Sequence, residues 1–243
     1  MQSRNDQSAF THANTLVTKK MENNLFAVRI EPAQWLPATF SRALRLTDIL
    51  RFASDDYPNL PPAEKDALRQ SQIESNEVVR VLGSHNHHIL IMKSDKVLGW
   101  VLDNEVEIDP AMKGFQPAAS MKLSTSQFFE LWNGTPYVRG GITRAGIDCS
   151  GLTQRYFWDV LEIGIPKNTF DQRRNGISKE LKEISNQDLI FCTRIGGKGT
   201  HHVGIFVDGD VWYANRERGV IRESLEKFLA DYQVLEVVNL TKD

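Results

Sequence analysis

Cysteine is scarce in this chain, with only two residues, Cys149 and Cys192, among 243. A fold held together by several disulfide bonds is therefore excluded. Long apolar runs are also absent, since none approaches the ~20 residues needed to cross a bilayer. Residues 1–8 are polar and lack the apolar core of a secretory signal. These absences predict a cytoplasmic protein without membrane insertion, or a periplasmic or secreted one if the N-terminus is processed.

Charge of one sign is not in excess either. Lys and Arg total 29 and Asp and Glu total 31, which leaves a formal net charge of −2. This balance gives no electrostatic reason to expect a nucleic acid or an anionic membrane as partner. Metal ligands are not clustered: His85, His87 and His88 lie in a polar turn without carboxylate or cysteine partners at useful spacing. No metal and no cofactor is predicted.

The sequence does contain a cysteine in a setting suited to chemistry. Cys149 follows Asp148 and precedes Ser150 and Gly151, at the start of a helix predicted over 147–160. Asp148 takes the place of an N-terminal cap. The apolar stripe of this helix consists of Leu152, Tyr156, Phe157 and Val160. A helix N-terminus favours the thiolate form of a cysteine, so the thiol of Cys149 is predicted to be reactive.

A histidine that can act with this cysteine follows on a later strand. His202 opens the sequence His-Val-Gly-Ile, and a neighbouring imidazole also favours the thiolate. Cys192 differs, because it ends an apolar run that predicts an interior strand, and we interpret it as a packing residue. The pair of Cys149 and His202 predicts a cysteine hydrolase.

Three motifs surround this pair in a definite order. Gly-Thr-Pro-Tyr-Val-Arg-Gly-Gly occupies residues 134–141, Asp-Cys-Ser-Gly residues 148–151 and His-Val-Gly-Ile residues 202–205. This order and spacing resembles the NlpC family of bacterial cell-wall cysteine peptidases, which are papain-like in fold. The resemblance extends over residues 122–240, about half of the chain, and the motifs are specific in combination.

The resemblance implies a role for five residues. Cys149 corresponds to the nucleophile, and His202 to the general base that takes the thiol proton and later protonates the leaving amine. Tyr137 corresponds to a tyrosine that lines the substrate cleft. Asp148 and Ser150 correspond to positions that hold the free amino end of the stem peptide. Backbone N–H groups at the start of the cysteine helix are expected to stabilise the tetrahedral oxyanion.

The third polar residue of the family, which orients the imidazole and is often a histidine, has two candidates here. The strand after the His202 strand contains no histidine. The Asp208-Gly209 pair predicts a type I′ hairpin, in which His202 faces Asn215. Alignment through the residues after that strand places Tyr213 at the family position instead. Both side chains share a face with His202, and a substituted third residue is also compatible with reduced activity.

A second departure from the family is Arg139, at a position where an aromatic residue is common. Arg139 and Arg144 flank the loop that precedes Cys149, which we call the cysteine loop. They either attract an acidic peptide or are solvated surface residues. The pair Gly140-Gly141 predicts a close approach of backbone segments at the floor of the cleft.

The first half of the chain predicts a small β domain. A helix with a proline start is predicted over 61–74. Strands are predicted at 77–82, 88–93 and 97–101. This pattern, ending in Gly-Trp-Val, resembles a bacterial SH3-like domain, in which Trp100 is either a ligand platform or a core residue. The predicted organisation is a polar arm at 1–24, an SH3-like domain with a helical insertion at 25–110, a linker at 111–121 and the peptidase domain at 122–243.

The second half predicts an α+β, papain-like fold. Helices are predicted near 124–133, 147–160 and 225–232. Strands are predicted at 188–193, 202–207, 210–215 and 233–240. Strands grouped after helices imply an antiparallel sheet with the helices packed on one side, so that the start of the cysteine helix meets His202.

The expected function is hydrolysis of cell-wall stem peptides by a cysteine endopeptidase. The resemblance implies cleavage between γ-D-glutamate and a diamino acid such as diaminopimelate, in muropeptides that carry L-Ala-γ-D-Glu. In similar enzymes the SH3-like domain favours stems with a free N-terminal L-alanine, and recycling of released muropeptides is the expected setting. The alternatives are a catalytically impaired wall-binding module and a thiol amidase or acyltransferase on the same scaffold.

Overall fold

The computed structural model of this protein describes residues 34–196 and 201–241. These residues form two large antiparallel sheets, one in each half of the chain, and a short two-stranded sheet. The predicted arm at 1–24 and the start of the predicted SH3-like domain lie outside the described residues. In the described ranges no helix is both long and apolar enough to span a membrane.

The N-terminal sheet contains seven strands in the order β3-β2-β6-β5-β4-β1-β7. Its strands are β1 Gln34–Ala43, β2 Thr47–Leu50, β3 Arg69–Ile73, β4 Val78–His85, β5 His88–Met92, β6 Leu98–Leu102 and β7 Val106–Ile108. Trp100 is fully buried beside Leu50 and Leu90, so it is a core residue and not an exposed ligand platform. The likeness of this sheet to an SH3-like domain, and the predicted domain boundaries, stay predictions.

The helix predicted over 61–74 is wrong in its second half. The helix α1 spans Pro62–Leu68, and the chain continues directly into strand β3. There Ile73 pairs with Thr47, and the Arg69 guanidinium donates to Asp48 Oδ1 at 2.7 Å. Both partners lie more than twenty residues away in sequence, so the tertiary contact, not local propensity, decides this segment.

The C-terminal sheet contains six strands in the order β10-β15-β11-β12-β13-β14. Its strands are β10 Ile177–Lys179, β11 Leu189–Arg194, β12 His201–Val207, β13 Asp210–Asn215, β14 Gly219–Ser224 and β15 Tyr232–Asn239, and a separate short hairpin joins β8 Ile142–Thr143 to β9 Gly146–Ile147. The helices are α2 Thr125–Trp132, α3 Cys149–Leu161, α4 Thr169–Arg174 and α5 Leu225–Asp231. The three predicted helices and four predicted strands are confirmed, whereas β8, β9, β10, β14 and α4 were not predicted.

The helices lie on both faces of this sheet, which corrects the prediction of one-sided packing. Helices α2 and α3 bury Phe128 and Leu152 against one face, which also contains Val203. Helix α5 buries Phe228 on the opposite face, together with Tyr213. Because successive strand residues point to opposite faces, a strand with apolar residues on both sides needs a cover on each.

The hairpin between β12 and β13 has the predicted geometry. Asp208 and Gly209 have φ angles of 51° and 86°, and Val207 pairs with Asp210. Positive φ at both central residues is the requirement of a type I′ turn, so this prediction is confirmed.

The segment predicted as a linker is attached to both halves of the chain. The backbone of Gln116 pairs with Val78 of the N-terminal sheet, whereas the Trp158 indole of α3 donates to Ala118 O at 2.8 Å. Side chains also join the halves directly: Arg155 Nη1 donates to Glu74 Oε2 at 2.7 Å.

Candidate active site

Cys149 is the first residue of helix α3, and Asp148 is the reason why the helix begins there. The Asp148 carboxylate accepts the Gly151 N–H at 2.6 Å, which satisfies one of the N–H groups that a helix start leaves without a partner. The backbone then turns from an extended residue into the helix. The thiol lies at this helix start and is 7% exposed.

The Asp148 carboxylate holds more than the helix start. Its Oδ2 accepts the Gly140 N–H at 2.7 Å, and its Oδ1 also accepts the Ser150 hydroxyl at 3.1 Å and the Lys167 ammonium at 2.7 Å. These donors come from the cysteine loop, the helix and the segment after it. The assignment of Asp148 and Ser150 to the substrate's amino end stays a prediction, and the structure gives Asp148 a positioning role.

The glycines of the cysteine loop allow the loop to touch the helix. A Cβ atom on Gly151 would lie 2.4 Å from Gly141 O, and one on Gly141 would lie 2.4 Å from Gly146 O. Such distances are shorter than any real contact of a Cβ atom, so only glycine fits. The predicted close approach of backbone at Gly140-Gly141 is confirmed.

The N-terminal sheet supports the same loop. The side chain of Gln72 accepts the Ile142 N–H at 3.1 Å, and Arg69 Nη1 donates to Arg139 O at 3.2 Å. Strand β3, which sequence patterns assigned to a helix, thus contacts the segment that leads to Cys149.

The Cys149 thiol is not held as a thiolate. Burial raises its pKa to about 11, and the Asp148 carboxylate acts in the same direction, whereas Lys167 and hydrogen bonds from the backbone of Val203 and Ser150 lower it. The desolvation of the buried thiol therefore outweighs the effect of the helix start on its pKa, and the predicted reactivity of Cys149 stays a prediction.

His202 lies on strand β12, where it pairs with Cys192 of β11. Its ring stacks on Tyr232, with centroids 5.3 Å apart and an interplanar angle of 16°, and meets the Tyr213 ring edge-on at 5.4 Å. Its Nε2 atom is buried without a hydrogen-bond partner among residues 34–196 and 201–241.

The imidazole is neutral at pH 7. Burial lowers the pKa of His202 to about 4, the cation of Arg216 lowers it further, and the Asp148 carboxylate raises it. Because Val203, the next residue, hydrogen-bonds the thiol through its backbone, the predicted nucleophile and base come from adjoining parts of α3 and β12. Both side chains are uncharged at pH 7 in this arrangement.

Comparison with known proteins agrees with this geometry. The sequence pattern described as the NlpC/P60 family matches residues 134–238. A probable endopeptidase from Haemophilus influenzae is 36% identical over 111 residues, which cover 45% of this chain and 68% of the relative. This chain belongs to the NlpC/P60 family.

Two other relatives are named for different bonds. A murein DD-endopeptidase and LD-carboxypeptidase, MepS of Escherichia coli K12, is 35% identical over 97 residues, covering 40% of this chain and 50% of the relative. A γ-D-glutamyl-L-lysine dipeptidyl-peptidase of Bacillus cereus is 36% identical over 107 residues, covering 43% of this chain and 31% of the relative. The chain thus spans half or less of these two relatives' length.

The two candidates for the third family residue both contact the surroundings of His202, in different ways. Asn215 Oδ1 accepts the N–H groups of Glu217 and Arg218, and the Asn215 side chain also hydrogen-bonds the Tyr232 hydroxyl. Tyr213 contacts the imidazole with its ring. Its role, and that of Asn215, in orienting the imidazole stay predictions.

The hydroxyl of Tyr213 hydrogen-bonds a carboxylate and not the imidazole. It donates to Glu223 Oε2 at 2.5 Å, and Arg218 Nη1 donates to the other oxygen of Glu223 at 2.8 Å. The Tyr213 side chain is thereby held firmly, with no exposed surface.

Tyr137 lies close to the start of the cysteine helix. It forms a backbone bridge with Ile147, two residues before Cys149, and the Arg216 guanidinium lies 5.6 Å from the centre of its ring. Burial raises the pKa of its hydroxyl. Its contact with a substrate stays a prediction. Arg139 is half-buried and Arg144 is exposed.

Three residues of the site were not predicted: Lys167, Arg216 and Tyr232. Lys167 lies within a stretch that belongs to the family pattern, so a signal was present, but nothing local indicates that its ammonium turns back to Asp148. Arg216 and Tyr232 carry no sequence signal, because their relation to His202 arises only when the sheet forms. Within the described ranges no three His, Cys, Asp or Glu side chains are placed to hold a metal ion.

Proposed function

We propose that this chain is a cysteine endopeptidase of cell-wall stem peptides that cleaves the bond between γ-D-glutamate and a diamino acid. One observation carries the proposal: Cys149 opens a capped helix beside the strand of a neutral His202. The names of the relatives support a cell-wall peptide as substrate. Muropeptide recycling in the cytoplasm stays a prediction.

The proposed reaction begins with the thiol of Cys149 and the imidazole of His202. As the sulfur attacks the scissile carbonyl carbon, the imidazole accepts the thiol proton, so the charge separates only while the S–C bond forms. The imidazolium then protonates the leaving amine as the C–N bond breaks. Water, deprotonated by the same imidazole, attacks the thioester, and the product carboxylate and the free thiol are released.

The helix start supplies the electrostatic part of this reaction. The Gly151 N–H is occupied by Asp148, and the Ser150 N–H hydrogen-bonds the Cys149 sulfur, so the Cys149 N–H is the first-turn donor that we assign to the oxyanion. Donors at a helix N-terminus, together with the helix dipole, stabilise an oxyanion. A site as buried as this one strengthens such interactions, because water does not screen them.

The test is a mass-spectrometric assay of the wild type and of Cys149→Ala. The substrates are L-Ala-γ-D-Glu-diaminopimelate, the corresponding L-lysine peptide, a D,D-cross-linked peptide dimer and intact peptidoglycan. We expect the wild type alone to release L-Ala-γ-D-Glu from the tripeptides. Cleavage of the D,D cross-link alone would contradict the proposed γ-D-glutamyl bond, but it would still indicate a thiol peptidase.

The alternatives correspond to other outcomes of the same assay. Binding of peptidoglycan without hydrolysis, by a protein in which Cys149 is reduced, would indicate an impaired wall-binding module. Transfer of an acyl group to an added amine, or release of ammonia from an amidated stem, would indicate an acyltransferase or an amidase. Either result would overturn the proposed endopeptidase.

A further inference from the structure

Lys167 is a buried cation at the start of the cysteine helix, and the proposed chemistry does not use it. It lies in the segment between α3 and α4 and is 2% exposed. Its ammonium donates to Asp148 Oδ1 at 2.7 Å and to Ser150 Oγ at 3.1 Å. These two acceptors are the residues directly before and after Cys149.

The position of Lys167 is fixed by hydrogen bonds from a second buried side chain. Gln172 Nε2 donates to Pro166 O at 2.8 Å and to Ser150 O at 3.0 Å, while Gln172 Oε1 accepts the Thr153 hydroxyl at 2.9 Å. The segment that carries Lys167 is thereby joined to the first turn of α3. An ammonium held in this way loses little further side-chain freedom when it forms its ion pair.

The charge of Asp148 creates the need for this cation. A carboxylate beside a thiol disfavours the thiolate, and therefore also the transition state in which the sulfur gains negative charge. The Asp148 carboxylate raises the pKa of Cys149, and the Lys167 ammonium opposes it. Asp148 is nevertheless required at this position, because it caps the helix and holds the loop at Gly140.

Other titratable groups also surround the thiol. Tyr137 on the preceding segment and Cys192 on β11 both interact electrostatically with Cys149, and His202 lies on the adjoining strand. All three are uncharged at neutral pH in this site, because burial raises the pKa values of Tyr137 and Cys192 and lowers that of His202. Asp148 and Lys167 are therefore the charged pair that acts on the sulfur.

We propose that Lys167 is a positioning residue of this site, which neutralises the capping carboxylate of Asp148 so that Cys149 gains negative charge beside an ion pair and not beside a lone anion. The proposal rests on Cys149 being the nucleophile of the proposed function, and it adds a residue that acts on that nucleophile through Asp148.

The test is the pH profile of Cys149 alkylation by iodoacetamide, in a Cys192→Ala background. The alkylated residue is identified by mass spectrometry, the profile is followed from neutral pH through its inflection, and circular dichroism verifies the fold of each variant. Lys167→Met should move the inflection upward by about one pH unit and slow alkylation roughly tenfold below it. Lys167→Arg should restore the profile to within about threefold of the wild-type rate, since it keeps the positive charge.

Asp148→Asn is a matched variant that tests the same ion pair even if Lys167→Met does not fold. It removes the negative charge and keeps an acceptor for the helix cap, so the inflection should move downward. The double variant Asp148→Asn/Lys167→Met should return towards the wild-type profile, because both charges are then absent. Non-additivity of this kind measures the coupling of the pair.

An unchanged inflection in folded Lys167→Met would overturn the proposal, and so would an unchanged inflection in Asp148→Asn if Lys167→Met does not fold. Failure of the proposed function is seen separately. If no variant hydrolyses a stem peptide but the alkylation profiles shift as expected, the endopeptidase proposal fails and the role of Lys167 stands.

Discussion

The proposed nucleophile, Cys149, and the proposed base, His202, are held by opposite kinds of contact. Around Cys149 the contacts are polar and directional: the Asp148 carboxylate receives hydrogen bonds from Gly140, Ser150, Gly151 and Lys167. Around His202 they are aromatic, and its Nε2 is buried without a hydrogen-bond partner within the described part of the chain. Cys149 is thus placed by charge and hydrogen bonds, and His202 by ring packing.

This difference sets the protonation state of the pair. The thiol has a pKa of about 11 and the imidazole one of about 4, and burial is the main cause in each case. At pH 7 the neutral thiol and the neutral imidazole are therefore the stable arrangement. Such a pair fits the proposed reaction, in which the imidazole accepts the thiol proton while the sulfur attacks.

The largest expected effect is the loss of either partner. Cys149→Ala and His202→Ala should each lower the rate of peptide hydrolysis by roughly 10⁴-fold or more, as removal of a nucleophile or its base does in related mechanisms. Cys192→Ala is the matched control, because Cys192 is also a buried cysteine, but it lies on strand β11 and not at a helix start. Single-turnover assays compare the three, and a similar loss in Cys192→Ala would contradict the assignment of the nucleophile.

The polar surroundings of the nucleophile should be sensitive to the removal of Asp148. Asp148→Ala leaves Lys167 buried and unpaired, so unfolding free energy should fall by roughly 3–5 kcal/mol. Asp148→Ala/Lys167→Met removes both charges and should lose distinctly less. Urea denaturation at pH 7 measures both. Equal losses of unfolding free energy in the single and the double variant would show that the unpaired charge of Lys167 is not the main cause of the destabilisation.

Acid should destabilise the fold through His202 and its aromatic surroundings. Because the pKa of His202 is lowered to about 4 in the folded protein, the unfolded chain binds a proton first as the pH falls. The stability contributed by the neutral ring is present above its unfolded pKa of about 6.5 and is lost towards pH 4, by roughly 3 kcal/mol. Urea midpoints of the wild type and of His202→Gln, measured against pH, isolate the contribution of His202, since the two proteins share all other titratable groups. Parallel pH dependences would contradict the lowered pKa.

The smallest expected effect concerns the ring that stacks on the imidazole. Tyr232→Leu removes the stacked surface and should lower kcat by about tenfold, the size of a stacked aromatic contact of ~1.4 kcal/mol. Tyr232→Phe keeps the ring and loses only the hydroxyl contact with Asn215, so kcat should stay within about threefold. If the two variants lose activity equally, the hydroxyl and its partner Asn215, not ring packing, position His202.

Much of the site could be predicted from local patterns. The helix start at Cys149 follows from a capping residue and an apolar stripe, and the register of the β12–β13 hairpin follows from Asp208-Gly209. The helix predicted over 61–74 failed at strand β3 because its pairing partner Thr47 lies far away in sequence. Local signals describe the chain over a few residues, whereas strand pairing depends on distant segments.

The sequence by itself determined the identity and order of the catalytic motifs, and with them the family. The tertiary structure alone decided that the thiol is protonated, that the imidazole stacks on Tyr232, and that Lys167 neutralises Asp148. The physical reason is that a motif records which groups are present. Their charge states depend on how much water is excluded from them and on which distant side chains are brought within a few ångströms.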